Sequence, residues 1–166
     1  MQTESQNPTG EYLRVAMRRW ATGVSIVTSR VEETTHGMTV NSFGSISLDP
    51  PLVTVTMNHN TRTQFLVEQS GIFAVTVLGV MQQPLAELFA GRVDDHGDRM
   101  IGLDTFALVT GAPLLRGGLA FVDCRVVHSY PMKHATLYIG EVVAAETGPE
   151  ELVPLIYYRR TFTGLC

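Results

Sequence analysis

The chain has 166 residues, of which 45% are hydrophobic and 17% are charged, and its net charge is −4 at pH 7. This composition is typical of one folded domain, and the negative charge argues against a nucleic-acid or anionic-membrane binder. The polar first ten residues predict a flexible lead before a single domain over residues 11–166. No signal-peptide pattern and no apolar run of bilayer length is present, which predicts a cytoplasmic protein without membrane contact.

The first half of the chain predicts two or three helices among several strands. Leu13, Ala16, Met17 and Trp20 recur at helical spacing, which predicts an amphipathic helix over residues 8–21. Apolar and polar residues then alternate, which predicts a half-buried strand over residues 24–29, followed by a polar turn at 32–36. Further strands are predicted at 52–57 and 72–78, and helices at 61–69 and from Pro84 onward.

The second half is mostly predicted strand. A polar, turn-rich stretch over residues 91–102 precedes strands at 106–110, 119–129, 136–146 and 155–158. Several strands with a few short helices between them favour a mainly β fold, a β-barrel with peripheral helices, over a doubly wound sheet.

Residue types that bind metals are few and poorly spaced. Cys124 lies in an apolar run and is predicted to be a small buried hydrophobe, and Cys166 is the last residue. His128 and His134 fit no common metal pattern, and residues 94–98 (DDHGD) are interpreted as a solvated loop, so we predict no metal site. The sequence also contains no GxGxxG, P-loop or GxSxG motif and no obvious acid–base or nucleophile pair, and hydride transfer between two bound cofactors needs no protein nucleophile.

Three polar patches of small residues interrupt the apolar sequence: residues 39–51, residues 58–63, and residues 89–91 with Asp98 and Arg99 beyond them. Polar groups at a strand-to-helix junction suit an anion, and Arg62 or Arg99 could add charge-assisted bonds to a phosphate. Asn41 and Ser42 could present donors and acceptors to the edge of a planar heterocycle. Helix N-caps and turns prefer the same residue types, so the pattern alone leaves both interpretations open.

Three segments carry a resemblance to a known family: residues 19–28 (RWATGVSIVT), 37–43 (GMTVNSF) and 45–53 (SISLDPPLV). They resemble the opening half of the flavin reductase family, the short-chain NAD(P)H:flavin oxidoreductases that serve two-component monooxygenases. The resemblance continues to residues 154–158 and covers nearly the whole chain. It implies a split β-barrel of the Greek-key, FMN-binding type with a few peripheral helices, a homodimer, and FAD or FMN bound near the dimer interface.

The resemblance also implies roles for individual residues. The isoalloxazine edge would be contacted by Met38, Thr39, Val40, Asn41 and Ser42, with Ser45 beside them. The ribityl chain and phosphate would be held by Asn58, Asn60, Thr61 and Thr63. The far end of the flavin would be flanked by Phe89, Ala90 and Gly91, and Arg99 could reach the phosphates.

One departure from the family pattern concerns the nicotinamide. Many members carry Gly-Asp-His before the strand that ends in Gly-Glu-Val, whereas this chain has Lys133, His134 and Ala135 there. Either His134 substitutes from one position earlier, or other groups hold the nicotinamide, with Arg18, Tyr157 and Tyr158 as candidates. NADH is favoured over NADPH, because no arginine pair is clearly placed for a 2′-phosphate.

The function that the resemblance implies is NAD(P)H-dependent flavin reduction. Hydride would pass from NADH to FAD or FMN, and the reduced flavin would diffuse to a separate oxygenase. The alternative is a flavin- or other cofactor-binding split barrel without reductase activity, which Ala135 at the place of the family histidine favours.

Overall fold

The computed structural model describes residues 8–94 and 97–165, which form three helices and twelve strands. The helices are α1 (Pro8–Met17), α2 (Arg62–Ser70) and α3 (Gln83–Phe89), and a 3₁₀ turn (Val80–Gln82) precedes α3. The strands in chain order are β1 (Thr22–Gly23), β2 (Ser25–Val31), β3 (Thr34–Val40), β4 (Gly44–Leu48), β5 (Pro51–Asn58), β6 (Ile72–Val77), β7 (Thr105–Phe106), β8 (Leu114–Leu115), β9 (Ala120–Pro131), β10 (Ala135–Thr147), β11 (Leu155–Tyr158) and β12 (Thr161–Gly164).

Seven strands form one antiparallel sheet in the order β3-β2-β6-β9-β10-β5-β4. A second sheet has the order β1-β11-β12, and β7 pairs with β8. The prediction of a mainly β fold with a few helices is therefore confirmed.

The link between β3 and β4 forces the large sheet to curl. These strands are consecutive in the chain but lie at opposite edges of the sheet, and only residues 41–43 join them. Four Cα–Cα steps reach about 14 Å at most. The edges of a flat sheet of this size would lie about 29 Å apart at roughly 4.8 Å per strand spacing. The edges therefore approach each other, β3 contacts β5, and the sheet is consistent with a split barrel.

Ser42 holds this corner of the chain with its side chain. Its Oγ donates to the carbonyl of Thr56 at 2.9 Å and accepts from the N–H of Thr56 at 3.1 Å. Gly44 pairs with Thr54 in the β4–β5 ladder, so Ser42 lies opposite Thr56 in the same register. The serine hydroxyl thus continues the ladder beyond its last backbone pair.

On one face, β3 packs against α2 through its even-numbered residues. His36 is buried, and its Nδ1 lies 2.8 Å from Oγ1 of the buried Thr63. Met38 lies at the start of α2, where its Sδ accepts from Thr61 Oγ1 at 3.8 Å. Thr61 is the N-cap of α2, because its side chain accepts from the N–H of Gln64 at 3.3 Å.

On the other face, β3 packs against α3 through its odd-numbered residues. A Cβ at Gly37 would lie 2.8 Å from Cε1 of Phe89, so only glycine allows the strand to lie this close to the helix. Thr39 donates from Oγ1 to the carbonyl of Ala86 at 2.7 Å. Both contacts hold β3 in place as it approaches Asn41.

The core lies on both faces of β2. Val27 belongs to the cluster inside the curled sheet, and Ile26 belongs to a second cluster under α3 and β11. Ser29 is also buried, and it donates to the carbonyl of Ile72 at 2.8 Å. The strand predicted at residues 24–29 is present as β2, but it is not half-buried, because Thr28 and Ser29 are also buried and hydrogen-bonded.

A polar network holds α2 on the sheet. Gln64 donates from Nε2 to the Tyr138 hydroxyl at 3.1 Å, and that hydroxyl donates to Glu68 Oε1 at 3.2 Å. Burial, with the Glu68 carboxylate adding to it, raises the pKa of the Tyr138 phenol above its ordinary value. Tyr138 therefore stays a neutral hydrogen-bond donor at physiological pH.

Two predicted boundaries in the first half differ from the structure. α1 begins at Pro8, so the last three residues of the predicted flexible lead are helical, and residues 1–7 lie outside the described residues. The helix ends at Met17, earlier than the predicted residue 21, and none of its residues is buried. The polar turn is limited to residues 32–33, because residues 34–36 pair with residues 29–31 in the β2–β3 ladder.

The strand predicted over residues 106–110 is confined to β7 and ends at Phe106. The buried carboxylate of Asp123 explains this: its Oδ2 accepts from the N–H groups of Val109 (2.8 Å) and Thr110 (2.7 Å). Those N–H groups bond the side chain and are not available to a neighbouring strand. The strands β1, β3, β4, β8 and β12 were not predicted.

Cys124 is fully buried, as predicted. Burial, together with the neighbouring Asp123 carboxylate, raises the pKa of its thiol to about 12, so it is unreactive in the folded protein. Cys166 lies outside the described residues. No helix in the described part of the chain is long and apolar enough to cross a membrane.

A Ser42→Ala variant tests the corner. It leaves both backbone groups of Thr56 without the serine hydroxyl and should lower the free energy of unfolding by about 1–2 kcal/mol, measured by urea denaturation. Ser45→Ala, at an exposed position on β4, is the matched control and should change it by less than about 0.5 kcal/mol. Equal stabilities of the two variants would contradict this role of Ser42.

A Gly37→Ala variant tests the contact between β3 and α3. The new methyl group overlaps the Phe89 ring, and the free energy of unfolding should fall by about 1–3 kcal/mol in the same measurement. Gly44→Ala is the control, because a Cβ there meets nothing closer than Thr54 Oγ1 at 3.4 Å. If Gly37→Ala is as stable as Gly44→Ala, the contact with Phe89 does not restrict residue 37 to glycine.

Candidate functional site

Two adjoining clefts lie where the corner segment, residues 41–43, faces the β11–β12 hairpin. The larger has a volume of about 800 Å³ and the smaller about 170 Å³. Asn41 and Tyr157 line both clefts. Asn41, directly after β3, and Tyr157, on β11, therefore lie between two neighbouring clefts.

The smaller cleft brings together four of the predicted flavin residues: Thr39, Val40, Asn41 and Ala90. Its other side is aromatic, with the rings of Tyr157 and Phe162 at 5.4 Å between centroids. The Arg92 guanidinium lies 5.2 Å from the centroid of the Phe162 ring. A polar strand edge opposite aromatic rings suits one edge of a planar heterocycle.

The larger cleft combines aromatic and cationic side chains. Asn41 and Ser42 line it at the corner segment, and the predicted nicotinamide candidates Arg18 and Tyr157 line it from the opposite side. No carboxylate lines it among the described residues, so its electrostatic potential favours an anion. The remaining lining residues are Arg14, Met17, Trp20, Ala21, Thr22, Gly23, Ser25, Phe43, Val77, Arg159 and Arg160.

Two buried polar atoms of the larger cleft indicate that a ligand completes it. Arg18 Nε and Thr22 Oγ1 have no hydrogen-bond partner within the described residues, although both residues line the cleft. Buried polar groups are nearly always paired in folded proteins. A bound molecule with acceptor atoms would satisfy both groups, so the residues present fit a nucleotide cofactor.

The second predicted patch lies at the start of α2, away from these two clefts. Asn58 and Asn60 are exposed there, and Asn60 has a positive φ of 63°. Asn60 and Thr61 line a third cleft of about 740 Å³ between α2 and the β2–β3 turn. Thr63 is fully buried against His36, so its hydroxyl lies inside the fold in this chain.

The third predicted patch is closed by arginine side chains that bind backbone carbonyls. Arg99 donates from Nη1 to the carbonyl of Phe89 at 3.0 Å. Gly91 adopts a φ of 70°, and a Cβ there would lie 3.1 Å from Nη2 of Arg99. Arg62 donates to the carbonyl of Gly97 at 2.8 Å and so connects this loop to the start of α2.

Three further predicted residues do not line the paired clefts. Ser45 is exposed on β4 and pairs with Val53. His134 immediately precedes β10, and its backbone carbonyl accepts from the N–H of His59 at 3.0 Å. Tyr158 lies beneath Arg159, with the guanidinium 5.3 Å from the centroid of the ring.

Sequence reasoning missed several residues of the larger cleft, notably Trp20, Phe43, Arg159 and Arg160. A signal for Arg159 and Arg160 was present, because they separate two short runs with residues typical of strands, 155–158 and 161–164. The separating pair lacks the asparagine or glycine typical of such hairpins, and the turn was therefore overlooked.

Among the described residues, no group of three or more His, Cys, Asp or Glu side chains could hold a metal ion. The stretch predicted to be a solvated loop includes residues 95 and 96, which lie outside the described residues.

Comparison with known proteins identifies relatives along nearly the whole chain. The flavin reductase like domain family matches residues 17–165. An NADH-dependent flavin reductase from Rhodococcus sp is 36% identical over 157 residues, which cover 93% of this chain and 85% of the relative. The 4-hydroxyphenylacetate 3-monooxygenase reductase component of Thermus thermophilus is 34% identical over 155 residues, covering 93% and 96%.

A solved structure confirms the similarity of the fold. The NADH:FAD oxidoreductase of Streptomyces globisporus, in complex with NAD and FAD fragments, superposes with a TM-score of 0.86 at 30% identity. The match covers 99% of this chain and 98% of that chain. From the family match, these identities and the shared fold, we conclude that the chain belongs to the flavin reductase like domain family.

Proposed function

We propose that this protein is an NADH-dependent flavin reductase that supplies reduced FAD or FMN to a separate oxygenase. The observation that carries the proposal is the pair of adjoining clefts that share Asn41 and Tyr157. Two clefts that meet at common side chains can hold two reactants in contact, as hydride transfer requires. The names of the relatives, an NADH-dependent flavin reductase and a monooxygenase reductase component, support the same reaction.

The residues of the smaller cleft would hold the flavin ring. When bound, the flavin supplies the hydride acceptor, and the nicotinamide supplies the hydride. Thr39, Val40, Asn41 and Ala90 line this cleft and would contact one edge of the ring. The proposed flavin set also contains Met38, Ser42, Ser45, Phe89 and Gly91. The hydroxyl of Thr39 already bonds Ala86, so Asn41 is the residue whose polar side chain is exposed at this edge.

The flavin phosphate would bind at the start of α2. Asn58, Asn60 and Thr61 lie there at the surface, and Thr63 would join them only after its buried hydroxyl leaves His36. Arg99 lies on the neighbouring loop and would reach the phosphates by exchanging its bond to Phe89. These assignments follow the family pattern.

NADH would be held in the larger cleft, which Arg18 and Tyr157 line, and Tyr158 lies under Arg159 of the same cleft. His134 lies outside this cleft, since its backbone pairs with His59 next to the α2 start. The chain's own residues would align the two rings and exclude water between them; no nucleophile is needed.

The alternative function is flavin binding without reductase activity. Ala135 stands where the family has a histidine, and His134 does not line the paired clefts. A protein of this kind would bind FAD or FMN tightly without oxidising NADH.

A turnover assay separates the two functions. We expect purified protein to oxidise NADH in the presence of FAD or FMN well above the uncatalysed rate, with NADPH a poorer donor, followed by the loss of reduced-nicotinamide absorbance. Bound flavin without NADH oxidation would support the alternative. If the protein neither binds flavin nor oxidises NADH, both proposed functions are contradicted.

An Asn41→Ala variant tests the shared boundary. Loss of the amide should raise the KM for flavin by about tenfold, because one hydrogen bond to the ring edge is removed. Thr147→Ala, at an exposed position at the end of β10, is the control and should leave KM unchanged. An unchanged KM in Asn41→Ala would remove this residue from the flavin site.

We further propose that the protein is a cytoplasmic homodimer and that reduced flavin reaches the oxygenase by diffusion. Val127, Tyr130 and Met132 are exposed at one end of the β9–β10 hairpin, where a second copy could cover them. Light scattering should give twice the chain mass of 18.2 kDa. A mass equal to one chain at micromolar concentration would contradict the dimer.

A further inference from the structure

The turn between β11 and β12 has an unusual conformation for its sequence. Tyr158 pairs with Thr161, so Arg159 and Arg160 form a two-residue hairpin loop. Their φ angles are 50° and 65°, and both therefore lie in the left-handed region that a type I′ turn requires. Asparagine and glycine adopt this conformation readily, whereas arginine adopts it with strain. Strained backbone that persists in a folded protein often marks a functional site.

The strained turn places its arginines beside those of α1. Arg159 and Arg160 line the larger cleft together with Arg14 and Arg18. The N–H of Arg159 donates to the carbonyl of Arg18 at 3.3 Å, which holds the turn beside the segment after α1.

This concentration of positive charge contrasts with the rest of the chain. Four of the twelve basic residues line one cleft of a protein whose net charge is −4. Arg14 is partly neutralised by the exposed Glu11 at 3.2 Å, and no carboxylate lines the cleft among the described residues. Charges of one sign held together in this way attract a ligand of the opposite sign.

The unpaired groups of the cleft specify what that ligand offers. Arg18 Nε is a donor without a partner in the described part of the chain, and Thr22 Oγ1 can donate as well. Oxygen acceptors that carry negative charge satisfy both, and guanidinium groups bind phosphate oxygens with charge-assisted bonds.

We infer that the larger cleft binds the diphosphate of the pyridine dinucleotide, with Arg159 and Arg160 as phosphate-binding residues. The inference rests on the proposed function, because it names the part of NADH that this cleft holds. The dinucleotide is favoured over the flavin as the source of the diphosphate, since the flavin phosphate is assigned to the start of α2. Both arginines of the strained turn line this cleft.

ADP-ribose binding tests the inference without turnover, because ADP-ribose carries the diphosphate and no nicotinamide. Arg159→Gln/Arg160→Gln should weaken its binding by about tenfold or more in calorimetry, through loss of charge-assisted bonds. Arg125→Gln/Lys133→Gln removes the same charge from exposed positions outside the cleft and should bind as the parent does. The affinity for FMN should be unchanged in both double variants.

The two sources of phosphate give different outcomes. Weaker FMN binding with unchanged ADP-ribose binding would overturn the assignment to the dinucleotide and place the flavin phosphate here. Unchanged binding of both ligands would overturn the phosphate site. Failure of NADH turnover would leave the ADP-ribose result standing, so the proposed function and this inference fail separately.

Arg160→Gly separates the ligand role from the structural role of the turn. Glycine relieves the strain at φ 65°, so the Tm should rise by about 2–4 °C. ADP-ribose affinity should fall, whereas Arg160→Lys, which keeps the positive charge, should retain most of it. A more stable Arg160→Gly variant with full affinity would show that Arg160 does not bind the phosphate.

Discussion

The three residues that link β3 to β4 constrain the whole structure. Because these strands lie at opposite edges of a seven-stranded sheet, so short a link requires the sheet to curl until its edges meet. The hydroxyl of Ser42 then bonds both backbone groups of Thr56 and takes the place of a ladder pair. Asn41, next to it, is left exposed at the mouth of both clefts, so the closure of the sheet and the binding surface use the same segment.

The position of that segment depends in turn on the packing of β3 between two helices. Gly37 allows the strand to lie directly on the Phe89 ring, and Thr39 bonds the carbonyl of Ala86 in the same helix. The opposite face contacts the N-cap of α2 through Met38. The alternation of side chains along one strand therefore joins three polar segments that are far apart in the sequence.

Local patterns predicted much of the fold, and long-range contacts account for what they missed. The strand at residues 155–158 was predicted at its observed bounds, and Thr61 is the N-cap that its residue type allows. The prediction of a strand at residues 106–110 was wrong because the Asp123 carboxylate, more than ten residues away in the sequence, accepts hydrogen bonds from the backbone of this loop. In the candidate site, residues 39–42 were predicted because they belong to a recognisable motif. Arg159 and Arg160 lie far from that motif in the sequence, and only the fold brings them to the same cleft. No single-sequence pattern shows that a hairpin turn will lie beside an N-terminal helix.

The sharing of Asn41 and Tyr157 by the two clefts has a thermodynamic consequence. A ligand that orders either side chain changes the surface that remains for the second ligand, so the two binding free energies are coupled. Such coupling is reciprocal: the factor by which the first molecule alters the affinity of the second equals the factor by which the second alters the first.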